Sequence, residues 1–173
     1  MGRPVLALLP FLASCAGAGT ASPESAAILE RLRPALALKG DPARGRLLFE
    51  KSCLQCHRAG AEGHDAGPDV SAFRSRPPEQ LLVDIVDPNR EVKPQYVGHR
   101  VLTEDGDLFD GLLVRSDASG VILRRAQGET DTIPRSKIRK HESTGLSLMP
   151  EGLEQGLDAQ QMADLLSFIR GYN

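Results

Sequence analysis

The stretch FEKSCLQCHRAG, residues 49–60, sets Cys53 and Cys56 three apart and puts His57 directly after the second. Three chemistries use such a triplet: a dithiol–disulfide pair, a zinc ion and a covalently attached haem. A disulfide oxidoreductase places its Cys-x-x-Cys after a strand in a βαβ pattern, and no such strand precedes residue 53. Structural zinc needs four ligands, so His64 would have to join Cys53, Cys56 and His57, with the imidazole of His57 pinned beside Cys56. Haem fits best. Two cysteines on one turn can form thioethers with both vinyl groups while His57 reaches the iron as proximal ligand.

Working outward, the residues before the motif build a helix. Asp41 offers a carboxylate to free N–H groups, and Pro42 occupies the first turn, where no N–H is needed. Gly45, Phe49 and Cys53 fall four apart on one face, the glycine leaving room for a second backbone. Upstream, PESAAILERLRPALALKG (residues 23–40) has helical spacing of Ile28, Leu29, Leu32 and Leu36, with Pro34 ending or kinking the helix.

Composition narrows the function classes. The chain has 173 residues, 40% hydrophobic and 25% charged, which describes a globular protein. A net charge of -2 lacks the basic excess that displaces counterions from phosphates, so nucleic acid is set aside as a partner. Three cysteines do not make a disulfide scaffold, and two of them sit in the motif.

The third is Cys15. MGRPVLALLPFLASCAGAGTASPES (residues 1–25) has one arginine, an apolar run and then small residues, the build of an export signal. The run is too short to cross a bilayer of ~30 Å. Leu12-Ala13-Ser14-Cys15 resembles the lipobox of bacterial lipoproteins, in which cleavage precedes the cysteine and lipid is attached to it. The alternative is an ordinary signal cleaved near Ala18, which leaves a free protein. Either form is expected in the periplasm or cell envelope, the first anchored to a membrane.

GDPARGRLLFEKSCLQCH (residues 40–57) and GPDV (residues 67–70) resemble class I cytochromes c. The resemblance implies an all-α cytochrome c domain in which the Pro68 carbonyl accepts the N–H of His57. PEQLLVDIVDPNREVKP is similar to that family's middle helix, and DAQQMADLLSFIRGY to its terminal helix, which crosses the first near Gly45. A D-x-x-Q pair at Asp158 and Gln161 and apolar Met162, Leu165, Leu166 and Ile169 suit that helix. The family's sixth iron ligand is a methionine between these helices, and SLMPEGL supplies Met149. Met162 is expected in the core. His64, His99 and His141 are rival ligands by residue type alone. For the haem propionates the resemblance points to Arg74, Arg90 and Tyr96.

Between Pro94 and Gly145 the period changes. Short apolar or alternating segments, separated by Glu104–Asp107, Ser119-Gly120 and Gln127-Gly128, predict four or five antiparallel strands. The expected fold class is therefore α+β: a cytochrome c domain (41–94 and 144–173), an N-terminal helix (23–40), a signal and tether (1–22), and an inserted β module (95–143). The module is expected to be a small antiparallel barrel, SH3-like. Its basic residues Arg135, Lys137, Arg139 and Lys140 either dock an acidic partner or protect an edge strand by charge. The order of all these motifs resembles the Pirellula/Verrucomicrobium-type haem-binding domain.

This reading implies one covalent haem c with its iron, an electron carrier working with redox partner proteins, and no enzymatic site. The carboxylates are scattered, and Gly60, Gly63 and Gly67 match no nucleotide fingerprint. The alternative is a haem sensor or peroxide-reactive protein in which Met149 dissociates and frees the iron for a small ligand. Replacing Cys15 with serine separates the two export forms: a lipid-anchored protein should move from the membrane fraction to the soluble one, and unchanged partition would refute the lipobox.

Overall fold

A computed structural model describes residues 22–172. Cys15 and the rest of the export segment lie outside the described residues. Four α-helices are described: α1 (Pro23–Leu32), α2 (Pro42–Ser52), α3 (Pro78–Val86) and α4 (Ala159–Gly171). No described helix is long and apolar enough to cross a membrane. A two-residue ladder, β1 (Arg58–Ala59) with β2 (Glu62–Gly63), follows the cysteine motif. The strand-rich region forms β3 (Val97–Thr103), β4 (Leu108–Ser116), β5 (Gly120–Arg124), β6 (Thr130–Pro134) and β7 (Ile138–Ser147). The protein is thus mixed α+β.

The helices start and stop where side-chain chemistry dictates. Ser22 caps α1, which gives way after Leu32 to a 3-10 turn over Arg33–Ala37 containing Pro34. Asp41 accepts the N–H groups of Ala43 and Arg44 at 2.9 and 3.4 Å. Asp158 and Gln161 form a reciprocal capping box at α4. Met162 is fully buried in the helical core, beside Leu165, Leu166 and Ile169.

α2 and α4 cross with their backbones in contact. A Cβ on Gly45 would collide with the carbonyl of Asp164, and one on Gly40 with that of Ala163. No other residue type fits there. Phe49 fills the space beside the crossing, its ring 5.2 Å from that of Phe168. Asp164, 2% exposed, locks the same point. It accepts Arg44 Nε and Nη2 at 2.7 and 3.0 Å, the Asp41 N–H at 2.7 Å and Gln160 Nε2 at 2.9 Å.

The five-stranded sheet is antiparallel in the order β6-β5-β4-β3-β7 and has a core of its own, Val101, Val121, Leu123 and Ile133. It is open, which corrects the expected closed barrel. Closure would require β6 to pair with β7, yet both are edges. β6 has only five residues and ends in Pro134, which has no N–H to donate. The 3-10 turn Arg135–Lys137 then carries the chain away to β7 on the far side of β3. Much of the basic run is spent locally: Arg135 donates to the Asp117 carbonyl at 2.6 Å, Lys137 pairs with Asp105 at 2.8 Å and Lys140 with Glu142 at 2.8 Å. The sheet rests on the helical part through Arg124, which donates to the Asp65 carbonyl at 3.0 Å.

Arg44, ahead of the other donors, holds the Asp164 carboxyl down at about 2, against 3.8 for the ordinary group. A depressed pKa contributes stability that is full above the unfolded value and lost as pH falls from about 3.8 toward about 2. Asp164→Asn should therefore cost about 1–2 kcal/mol at neutral pH, with the solvent exposure of Arg44 allowed for, and flatten the acid limb of a Tm–pH curve. An acid limb identical to that of the parent would count against this assignment.

Candidate functional site

α2 delivers the cysteine motif to the inner end of the helical core. Cys53 and Leu54 pack against that core, and the Cys53 N–H still bonds to the Phe49 carbonyl at 2.8 Å. The chain then turns tightly: the N–H groups of Cys56 and His57 both bond to the Cys53 carbonyl, at 3.0 and 2.9 Å. This turn brings Cys53 and Cys56 near each other and leaves Cys56 and His57, but not Cys53, on the lining of one cleft. Burial, and secondarily the nearby Cys56, pushes the Cys53 thiol up to about 12, and burial raises Cys56 as well. Reactive redox cysteines have the opposite character, a depressed pKa in an electropositive setting.

His57 is held on one side. Its Nδ1 lies 2.7 Å from the Pro68 carbonyl oxygen, which can only accept, so Nδ1 bears the proton and Nε2 keeps its lone pair for a metal. Burial lowers the imidazole pKa, while the bond to Pro68 works in the other direction. Gly67 lies against the ring, and a Cβ there would come within 2.6 Å of His57 Cε1. The Gly67 N–H in turn bonds to the Cys56 carbonyl at 2.7 Å, closing the loop on the motif. Phe73 flanks the imidazole edge-on at 6.4 Å.

Cys56 and His57 border a cleft of about 550 Å³, and Met149 lies on its lining too. Such a volume is that of a cofactor site. α3 supplies Gln80 and Val83, the following turn Pro88 and Arg90, and the end of β7 Ser147. His64, His99 and His141 are not on this lining. His64 packs near Gly128, and His99 and His141 bond to each other across β3 and β7 at 3.2 Å. Two of the three residues expected at the propionates, Arg90 and Tyr96, line the cleft. Arg74 does not, whereas Arg76, two residues on, does, and it is held by Asp84 at 2.5 and 2.8 Å.

Sequence reasoning missed Lys93, also on the cleft wall, and Asn89, whose amide bonds to Ser147 and Glu151. The signal for Lys93 was its place just before Pro94 and Tyr96. Asn89 had none beyond the turn-forming Asp87-Pro88-Asn89, because its partners lie far along the chain. Among the described residues no group of three or more histidine, cysteine or acidic side chains converges as a metal site. The four-ligand zinc arrangement is therefore not assembled. The donor set fits haem instead: two neutral thiols for thioethers, one oriented imidazole and one thioether on a partly apolar cleft.

No curated protein matches the chain. Residues 42–105 match the family model Cytochrome c, a span from α2 through the cysteine motif and α3 to the end of β3 that stops short of Met149 and α4. That match supports a haem-binding electron-transfer protein, and the cofactor it implies is covalently bound haem c with its iron.

Proposed function

We propose that the protein is an exported monohaem c-type cytochrome that carries single electrons between redox partner proteins in the periplasm or cell envelope. Haem c would be attached through Cys53 and Cys56, and His57 and Met149 would be the residues that ligate its iron. The observation that carries the reading is the joint placement of Cys56, His57 and Met149 on one cleft, with His57 Nδ1 committed to Pro68 at 2.7 Å. The match over residues 42–105 agrees with it.

Bound haem supplies a one-electron Fe(III)/Fe(II) couple, and the residues of the chain tune and shelter it. The Pro68 carbonyl fixes the His57 tautomer and strengthens its basicity. Met149 offers a soft thioether, which favours ferrous iron and raises the potential. Val83, Pro88 and Phe73 keep part of the wall apolar, while Arg90, Lys93 and Tyr96 give a polar rim suited to carboxylates. The motif order, with a β module ahead of Met149, supports the Pirellula/Verrucomicrobium-type domain. The signal-like N-terminus supports export, and Cys15 a lipid anchor.

Protein exported from a host with cytochrome c maturation machinery should give a reduced low-spin c-type spectrum that CO does not alter. A CO-shifted spectrum of the parent would instead establish the sensor or peroxide-reactive reading, in which Met149 dissociates. Met149→Ala should keep the haem, lower the midpoint potential and admit CO; a variant unchanged in both would exclude Met149 as ligand. Replacing Cys53 and Cys56 together with alanine should abolish covalent haem and with it most of the folded protein, since a group that binds only the native state stabilises it. Pyridine haemochrome analysis after denaturation checks this, and retained covalent haem would overturn the attachment.

A further inference from the structure

Met149 is the middle residue of the segment Ser147–Glu151, and one side chain grips that segment on both sides. The Ser147 N–H donates to Asn89 Oδ1 at 2.8 Å, and Asn89 Nδ2 donates to Glu151 Oε1 at 2.6 Å. Within the grip, the Met149 N–H donates to Ser147 Oγ at 3.1 Å, and the Leu148 N–H reaches the Tyr96 carbonyl at 3.4 Å. Asn89 is itself well founded. It follows the buried pair Asp87-Pro88 at the end of α3, in a turn closed by the Arg90 N–H on the Asp87 carbonyl at 3.1 Å.

The chemistry of the residue matters. A primary amide offers an acceptor and donors in one rigid plane, so it can bind a main-chain N–H and a carboxylate at once. Aspartate at this place keeps the first bond and loses the second, and alanine loses both. The bond to Glu151 has a charged acceptor and is the stronger kind. Both partners are about sixty residues away in sequence, so the amide ties them to the turn that follows α3.

From this we infer that Asn89 is the positioning residue for Met149: it clasps the methionine segment to the α3 end of the cleft and sets how readily the thioether leaves the iron. The inference rests on the ligation proposed above. Asn89 acts through the segment it holds and makes no bond to the iron itself. Two hydrogen bonds of this kind correspond to roughly a tenfold to hundredfold change in the fraction of protein with the ligand released.

The test uses the full-length holoprotein and the variants Asn89→Ala, Asn89→Asp, Glu151→Ala, Met149→Ala and the double variant Asn89→Asp/Glu151→Gln. The readouts are the rate of CO uptake by the reduced protein, the midpoint potential and the methionine-to-iron(III) charge-transfer band of the oxidised protein. Asn89→Ala and Asn89→Asp should keep attached haem, take up CO at least about tenfold faster than the parent, whose uptake is too slow to alter its spectrum in the equilibrium scan, lower the potential and weaken the band. The double variant should recover toward the parent, because the amide introduced at 151 then donates to the carboxylate introduced at 89. A residue needed only for folding would not be rescued in this way. If Asn89→Ala does not fold, Glu151→Ala cuts the outer half of the clasp alone and should still quicken CO uptake. Met149→Ala separates the two failures. If it changes nothing, the ligation is wrong and the clasp falls with it. If it opens the iron while the Asn89 and Glu151 variants match the parent, or if the double variant is not rescued, the clasp alone is overturned.

Discussion

Everything at the haem-type cleft depends on how closely α2 and α4 approach. Gly45 and Gly40 allow the two backbones to meet where a methyl group would collide with a carbonyl oxygen, and Asp164 then ties both chain ends of the crossing together. That contact fixes the axis of α2. With the axis fixed, Phe49 packs against Phe168, and the helix ends with Cys53 as its C-cap. The start of the motif is thus set by a packing constraint eight residues upstream, and the motif's own turn then places Cys56 and His57. A glycine at 45 costs helix propensity of about 1 kcal/mol relative to alanine. The crossing is what offsets it.

The second constraint is on His57. An imidazole suited to a metal is both neutral and oriented, and one loop gives His57 that form. Gly67 lets the loop lie flat on the ring, and Pro68 supplies the acceptor at 2.7 Å. The same loop is anchored back to Cys56 through the Gly67 N–H. His57, Pro68 and Cys56 are therefore joined in one hydrogen-bonded loop. Glu154 shows the converse: it is 1% exposed, and neither carboxylate oxygen has a hydrogen-bond partner among the described residues, a local cost with no compensation in view.

Much of this was legible in the sequence because the signals were local. Asp41-Pro42, the Asp158/Gln161 box, the four-residue spacing of Gly45, Phe49 and Cys53, and the turn glycines each report their own structure within a few residues. The strands were legible for the same reason, through alternation and through turns at Gly106, Gly120 and Gly128. Closure of the sheet was not. Whether β6 meets β7 depends on the path of a three-residue turn and on a missing N–H at Pro134, not on the apolar pattern that defines the strands. Arg74 and Arg76 differ by two positions, and the path of the turn between the 3-10 segment Val70–Phe73 and α3 decides which lines the cleft. Asn89 was invisible for a deeper reason: its partners at 147 and 151 are brought to it by the sheet, so its bonds exist only in three dimensions.

That sheet interrupts the segment between α3 and Met149 by about fifty residues, yet the cleft tolerates it, and the strand pairing shows why. β3 and β7 are the first and last strands of the module, and they pair with each other from the base, Val97 opposite Ser147. Chain therefore enters and leaves at nearly one point, with the Leu148 N–H on the Tyr96 carbonyl at the threshold. An insertion whose ends coincide asks the host domain for no rearrangement, and loop-closure entropy rises only slowly with the length enclosed. The module's separate apolar core then stabilises the closed form without drawing side chains from the helices. The methionine segment is hydrogen-bonded at successive residues, Ser147, Leu148 and Met149. A long irregular loop would leave Met149 on a mobile tether, whereas here it begins two residues after a paired strand and is held at Ser147 by the turn that follows α3. The β module thus meets the methionine segment through its stem, where β3 and β7 pair and the Leu148 N–H reaches the Tyr96 carbonyl.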